Sequence, residues 1–152
     1  MLRVIGLNYQ SAPIDIREKV TVGKSDLPDT LRLIGTSVIL STCNRTEIYV
    51  LEGDRVAAER ARGFFVSRLG TSIGSKALMY ERQGDEALRH LCAVAAGLDS
   101  MVLGESQILG QVREALLASV AVGVAGPVLT RAFRTALRVG RRARHETFVG
   151  HH

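Results

Sequence analysis

The chain changes character near residue 85, and that change limits its possible folds more than any other feature. Before it, short apolar stretches bounded by turn residues alternate with helical stretches; after it, the sequence is helical throughout. Strands are expected at Arg3–Asn8, Ser37–Ser41, Thr46–Leu51 and Ala77–Glu81. Pro13 opens a short helix through Ile14, Ile16 and Val20, and Ser25-Asp26-Leu27-Pro28 opens another that runs to Ile34. An alanine-rich helix is expected from Val56 to Leu69, behind Gly53-Asp54. The helical half then reads as Asp85–Gly97, Ser106–Val122 and Pro127–Glu146.

Strands among helices first and helices alone afterwards argue for an α+β fold. The expected architecture is a small, mainly antiparallel sheet of the ferredoxin-like kind with helices on it, followed by a helical C-terminal half. At 152 residues there is room for one domain, taken as 1–150. His151 and His152 read as the remnant of a purification tag. No apolar run reaches the roughly 18 to 20 residues of a membrane span. The nearest, Ala115–Leu129, is broken by Ser119, Gly123, Gly126 and Pro127. The N-terminus lacks the apolar run and cleavage site of a secretory signal, so a cytoplasmic address is expected. Cys43 and Cys92 are the two cysteines, expected as thiols in a reducing compartment. With no CxxC pair and no histidine pair at helical spacing, no metal site is expected.

The densest chemistry lies at Thr42-Cys43-Asn44-Arg45-Thr46-Glu47, where an apolar strand stops. A lone cysteine is usually a small buried hydrophobe. Here it stands beside a hydroxyl, an amide and a guanidinium, and a nearby cation favours the nucleophilic thiolate. Arg45 can serve that thiolate or grip a carboxylate with its forked donors.

Ser41-Thr42-Cys43-Asn44-Arg45-Thr46-Glu47-Ile48-Tyr49 resembles the nucleophile segment of glutamyl-tRNA reductases. His90-Leu91, the stretch from Ala96 to Glu105, and Ser106-Gln107-Ile108-Leu109-Gly110-Gln111-Val112 resemble that family's second signature. The opening Val4-Ile5-Gly6-Leu7-Asn8, Arg17-Glu18-Lys19 and the basic close Arg141–Thr147 fit in order, so the likeness spans the chain. One departure is Ser106, where the family usually has proline; either residue suits a helix start.

The resemblance implies that Cys43 attacks the ester of glutamyl-tRNA to form a glutamyl thioester, which NADPH reduces to glutamate-1-semialdehyde on the route to tetrapyrroles and haem. It implies an active-site role for His90, either polarising the carbonyl or handling a proton. It places Thr42, Asn44, Arg45, Ser100, Glu105, Ser106, Gln107 and Gln111 around the glutamate. By charge, Glu105 suits the ammonium group and Arg45 the carboxylate. It also implies a homodimer formed by a C-terminal region absent here, and handover of product to glutamate-1-semialdehyde aminomutase. The alternative is a module that uses the same pocket only to bind tRNA or a regulator.

From periodicity, His90 lies roughly opposite a helical stripe of Leu88, Leu91, Cys92 and Ala95, with Cys92 a buried filler. Gln107 and Gln111 share one face of their helix, and Ile108, Val112, Ala115 and Ser119 form its core face. Arg131, Arg134, Arg138, Arg141 and Arg142 fall within about a third of a helical circumference, opposite Leu129, Phe133, Ala136 and Leu137. Such a face is solvated, or contacts phosphates, or packs on a neighbouring domain. No two of the fifteen glycines are two residues apart, so the G-x-G start of a dinucleotide site is missing, and this chain is not expected to bind NADPH.

Overall fold

The computed structural model describes residues 1–70, 74–100 and 107–147. The elements run β1 (Leu2–Asn8), α1 (Ile14–Lys19), α2 (Leu27–Ile34), β2 (Val38–Ser41), β3 (Arg45–Leu51), α3 (Arg55–Leu69), α4 (Ser75–Leu78), β4 (Tyr80–Gln83), α5 (Gly84–Ala95), α6 (Gln107–Val122) and α7 (Gly126–Thr147). Punctuation in the sequence explains several boundaries. Asp54 caps α3 by accepting from the Ala57 amide at 3.0 Å, and Gly35 ends α2 at φ 100°, a conformation that side chains resist.

The strands lie in the order β2-β3-β1-β4, every neighbouring pair antiparallel. With its helical crossovers between β1 and β2 and between β3 and β4, this is the expected ferredoxin-like arrangement. Alternation along each strand sends two sets of side chains to two cores. Ile5, Leu7, Ile39, Ile48 and Val50 pack with α2 and α3; Val4, Val38, Leu40 and Tyr49 pack with α5, α6 and α7. The helical C-terminal half is therefore the third layer of the domain, covering the second face of the sheet. Phe133 of α7 meets Tyr49 of β3 edge to face, ring centres 5.1 Å apart.

The core faces expected for α6 and α7 are buried as read: Ile108, Val112, Ala115 and Ser119, then Leu129, Phe133, Ala136 and Leu137. Two expectations change. The fourth strand is Tyr80–Gln83, not Ala77–Glu81, because residues 75–78 form a helical turn behind Gly74 at φ 67°. A short apolar run such as Ala77-Leu78-Met79 suits either element, and Leu78 and Met79 simply pack on the sheet's first core. On α5 the buried stripe is Ala87, Leu91, Val94 and Ala95, which leaves Leu88 and Cys92 only half-buried. Cys92 is thus not a sealed filler, although burial pushes its thiol up. At about 100° per residue, this rotation moves His90 from opposite the stripe to its flank. None of the described helices is long and apolar enough to cross a membrane.

Two helical glycines make the packing testable with opposite signs. A methyl group on Gly140 would stand 2.9 Å from the Ala95 carbonyl oxygen and 3.0 Å from Leu109, where α7 crosses α5. Gly140→Ala should cost about 1–3 kcal/mol. Gly110 in α6 has open space around it, so Gly110→Ala should stabilise by about 0.5–1 kcal/mol. Thermal melts of the two variants should move in opposite directions, by roughly 2–4 °C per kcal/mol for a chain of this size.

Candidate active site

Cys43 sits at the tip of the β2–β3 hairpin, whose connection is Thr42-Cys43-Asn44. The tip is tied down through its backbone. Thr42 N–H donates to the Arg45 carbonyl at 2.7 Å, and Asn44 N–H donates to Thr42 Oγ1 at 3.1 Å. The Asn44 carbonyl accepts from Tyr9 N–H at 2.9 Å, linking the tip to the end of β1. Buried Arg17 of α1 donates to the Cys43 carbonyl at 3.4 Å and to the Ala12 carbonyl at 2.9 Å. At the base, Ser41 Oγ accepts from Val22 N–H at 3.0 Å. The backbone is therefore held on two sides while the cysteine itself stays exposed.

From that tip, β3 runs into the layer between the sheet and α5. Arg45, Glu47 and Tyr49 alternate onto the face covered by the helical half; Thr46, Ile48 and Val50 take the other. Glu47 is fully buried, with four donors around its carboxylate. Tyr49 donates at 2.7 Å, Arg45 Nη1 at 3.4 Å, and the Tyr80 hydroxyl and His90 Nε2–H both donate to Oε2. The reach of Tyr80 depends on a glycine. Gly6 pairs with Glu47 on one side and Tyr80 on the other, so β1 presents no side chain between them. A Cβ there would stand 2.7 Å from the Thr46 carbonyl oxygen and 2.9 Å from Glu47 Cγ.

Burial by itself would push the Glu47 carboxyl upward. The hydrogen bond and charge of His90, the Arg45 charge and the Tyr80 hydroxyl outweigh it and hold the carboxyl at about 2. Burial, and then the same carboxylate, push the hydroxyls of Tyr49 and Tyr80 well above their ordinary value. Burial disfavours the charge on Arg45, but Glu47, Tyr80 and Asp99 more than offset this and raise it. An ionised carboxylate only accepts, so it keeps a proton on His90 Nε2 and orients the ring. The side chain of His90 retains 12 % exposure, and its ring lies 5.6 Å from that of Tyr80.

The structure thus brings Arg45 and His90 together through Glu47 and carries Cys43, Thr42 and Asn44 on the adjoining turn. Arg45, which the sequence reading gives to a substrate carboxylate, is 1 % exposed, and its Nη1 bonds Asp99 Oδ2 at 3.0 Å. Its Nη2 also donates to the Asp99 carbonyl. A ligand carboxylate reaching Arg45 therefore has to displace the partly exposed side chain of Asp99. Ser100 follows Asp99 and is half-buried. Glu105 and Ser106 lie outside the described residues. Gln107 is exposed at the start of α6, whereas Gln111, one turn on, is half-buried. Gln111 and Ser41 share a cavity of about 390 Å³ at the β2 edge. Glu47, Tyr80, Asp99 and Gly6 received no role from the sequence. The sequence held little signal for them: Arg45, Glu47 and Tyr49 alternate along β3, a pattern that suits a solvated face as well as a buried cluster.

Comparison with known proteins bears on the family of the chain. Residues 5–147 match the family described as glutamyl-tRNAGlu reductase, N-terminal domain. The chain is 45% identical to a glutamyl-tRNA reductase of Thermus thermophilus over 150 residues, which is 98% of this chain and 36% of that protein. With the glutamyl-tRNA reductase of Chloroflexus aggregans the identity is 42% over 161 residues, again 98% and 36%. The solved glutamyl-tRNA reductase from Methanopyrus kandleri superposes with a TM-score of 0.74 at 32% identity, over 95% of this chain and 34% of that one. The chain spans about a third of the length of the curated relatives it matches.

The Glu47 cluster implies a defined acid response. Its carboxyl is lower in the folded chain than the ordinary 4.5, so its stabilisation is complete above about 4.5 and fades as pH falls toward about 2. Glu47→Gln should lose about 3 kcal/mol at neutral pH, because it leaves Arg45 short of a buried counter-charge. Its melting temperature should also depend less on pH between about 4.5 and 2 than that of the parent. Parent-like melting at both ends of that range would contradict the cluster's role.

Proposed function

The chain belongs to the glutamyl-tRNA reductase family, within its N-terminal domain, and from that membership we propose that Cys43 takes glutamate from glutamyl-tRNA as a thioester. The observation that carries the reading is an exposed thiol on a hairpin whose backbone is tied on both sides, two residues from the Arg45–Glu47–His90 cluster.

The chemistry is acyl transfer. The Cys43 thiolate attacks the ester carbonyl; the bond from that carbon to the ribose oxygen breaks, and the 3′ oxygen leaves with a proton. A thiolate suits the step because it attacks readily and yields a more electrophilic acyl group than the ester. His90 is the residue able to polarise the carbonyl or pass the proton, since Glu47 engages Nε2 and fixes the ring, and Nδ1 is the nitrogen not committed to Glu47. Arg45 holds the substrate carboxylate once Asp99 yields its place, Glu105 takes the ammonium, and Thr42, Asn44, Ser100, Ser106, Gln107 and Gln111 complete the pocket.

Reduction needs a dinucleotide site, and the described residues do not fit one. The sheet pairs are all antiparallel, and no G-x-G turn follows any strand. No hydride step is therefore assigned to these residues. For the whole enzyme, the membership supports NADPH as hydride donor, a homodimer, glutamate-1-semialdehyde passed to its aminomutase, and a cytoplasmic place in tetrapyrrole synthesis.

Intact-protein mass after mixing with glutamyl-tRNA tests the proposal. A glutamyl adduct should appear on the parent and be lost in Cys43→Ser. His90→Ala should slow its formation by about 10²-fold or more. No adduct on the parent at saturating substrate sinks the reading.

A further inference from the structure

The basic helix has a use that the thioester chemistry does not absorb. Helix α7 holds six arginines against one glutamate, a balance equal to the formal charge of +5 on the whole chain, so the rest of the chain is electrically neutral. Arg131, Arg134, Arg138 and Arg141 are all exposed on it, and exposed Arg113 of α6 faces them. Between the two helices runs a cleft. One part, about 650 Å³, is lined by Arg131, Arg134 and Arg138; a second part, about 370 Å³, shares Arg134 and Arg138 and adds Arg113 and Arg141. Among the described residues, no carboxylate lines either part. Arg142, which does not line the cleft, bonds Glu146 instead.

We propose that the α6–α7 cleft is a docking groove for an RNA phosphate backbone, and, on the reading of the chain as a glutamyl-tRNA enzyme, for the body of the tRNA. Plain solvation explains scattered arginines, but five of one sign converging on a concave surface repel one another, and a polyanion relieves that repulsion. The length fits a nucleic-acid backbone. Arg131 to Arg141 covers about 15 Å of helix axis, enough for the four arginines of α7 to meet successive phosphates on the two sides of a groove. A second copy of the chain is disfavoured, since symmetric contact would press like-charged clefts together. A cleft also suits a rounded backbone better than a flat lipid surface. Exposed Leu117 and Val120 along its α6 wall give sugar faces an apolar bed.

Equilibrium binding of deacylated glutamate tRNA, read by fluorescence anisotropy across a salt series, tests the groove without any chemistry. The parent should show a slope of log affinity against log salt of about −3 to −4, as four phosphate contacts require. Arg134→Ala/Arg138→Ala should weaken binding at least tenfold at low salt and flatten the slope by about two. Arg55→Ala/Arg60→Ala, a charge-matched pair of exposed residues on α3, should leave both unchanged. Equal losses in the two pairs, no loss in the cleft pair, no tRNA binding by the parent, or preference for phosphatidylserine vesicles or an acidic peptide over tRNA would each overturn the groove. Cys43→Ser should bind tRNA like the parent, so failure of the thioester chemistry and failure of the groove remain distinguishable.

Discussion

A carboxylate buried in the sheet organises this domain. Glu47 has no access to solvent, and an ionised group there is tolerable only because four donors from three separate elements converge on it. Those donors come from β3, β4 and α5, so satisfying one charge also fixes how the edge strand and the second helical layer sit on the central strands. Gly6 is the complement of this arrangement: the row Glu47–Gly6–Tyr80 works because its middle member has no side chain. Stability and site geometry share one cause, and altering either alters both.

The division of labour between the sheet's two faces follows from that charge. One face is apolar through its middle, where it packs with α2 and α3, with Ser41 bonded to Thr46 at one end and Arg3 paired with Glu81 at the other. The other is apolar at the Tyr49 end and polar at the Arg45 end, so the same helical layer covers a core at one side and a reactive site at the other. The hairpin tip projects beyond this polar end, with its backbone held by Tyr9 and Arg17 and its thiol free. A nucleophile placed this way keeps its geometry without being buried, which is what attack on a large ester requires. Helix α7 repeats the economy: Phe133, Leu129 and Ala136 bury one side, and arginines line a cleft on the other.

Patterns that depend on neighbours along the chain were legible in the sequence. The 3.6-residue stripes of α6 and α7 named their buried residues correctly, and the Gly53-Asp54 pair marked the start of α3 within a residue. The fourth strand was displaced because a short apolar run carries no period long enough to separate strand from helix. The α5 stripe was rotated because its small residues, Ala87 among them, weigh less in a pattern than Leu88 and Cys92, yet small residues are what close contact with a sheet and with α7 selects. That rotation decided where His90 points.

By itself, the sequence determined the α+β class, the strand that stops at Cys43, the two amphipathic helices that close the domain and the charge gathered on the last of them. Each of these depends on residues within a few turns of one another, where periodicity and turn chemistry act directly. Tertiary structure alone decided that Glu47 is the hub, that Arg45 is held by a carboxylate 54 residues away, and that His90 presents Nε2 to a strand 43 residues earlier. A buried charge is settled by what surrounds it in space, and no local pattern records which distant donors will arrive.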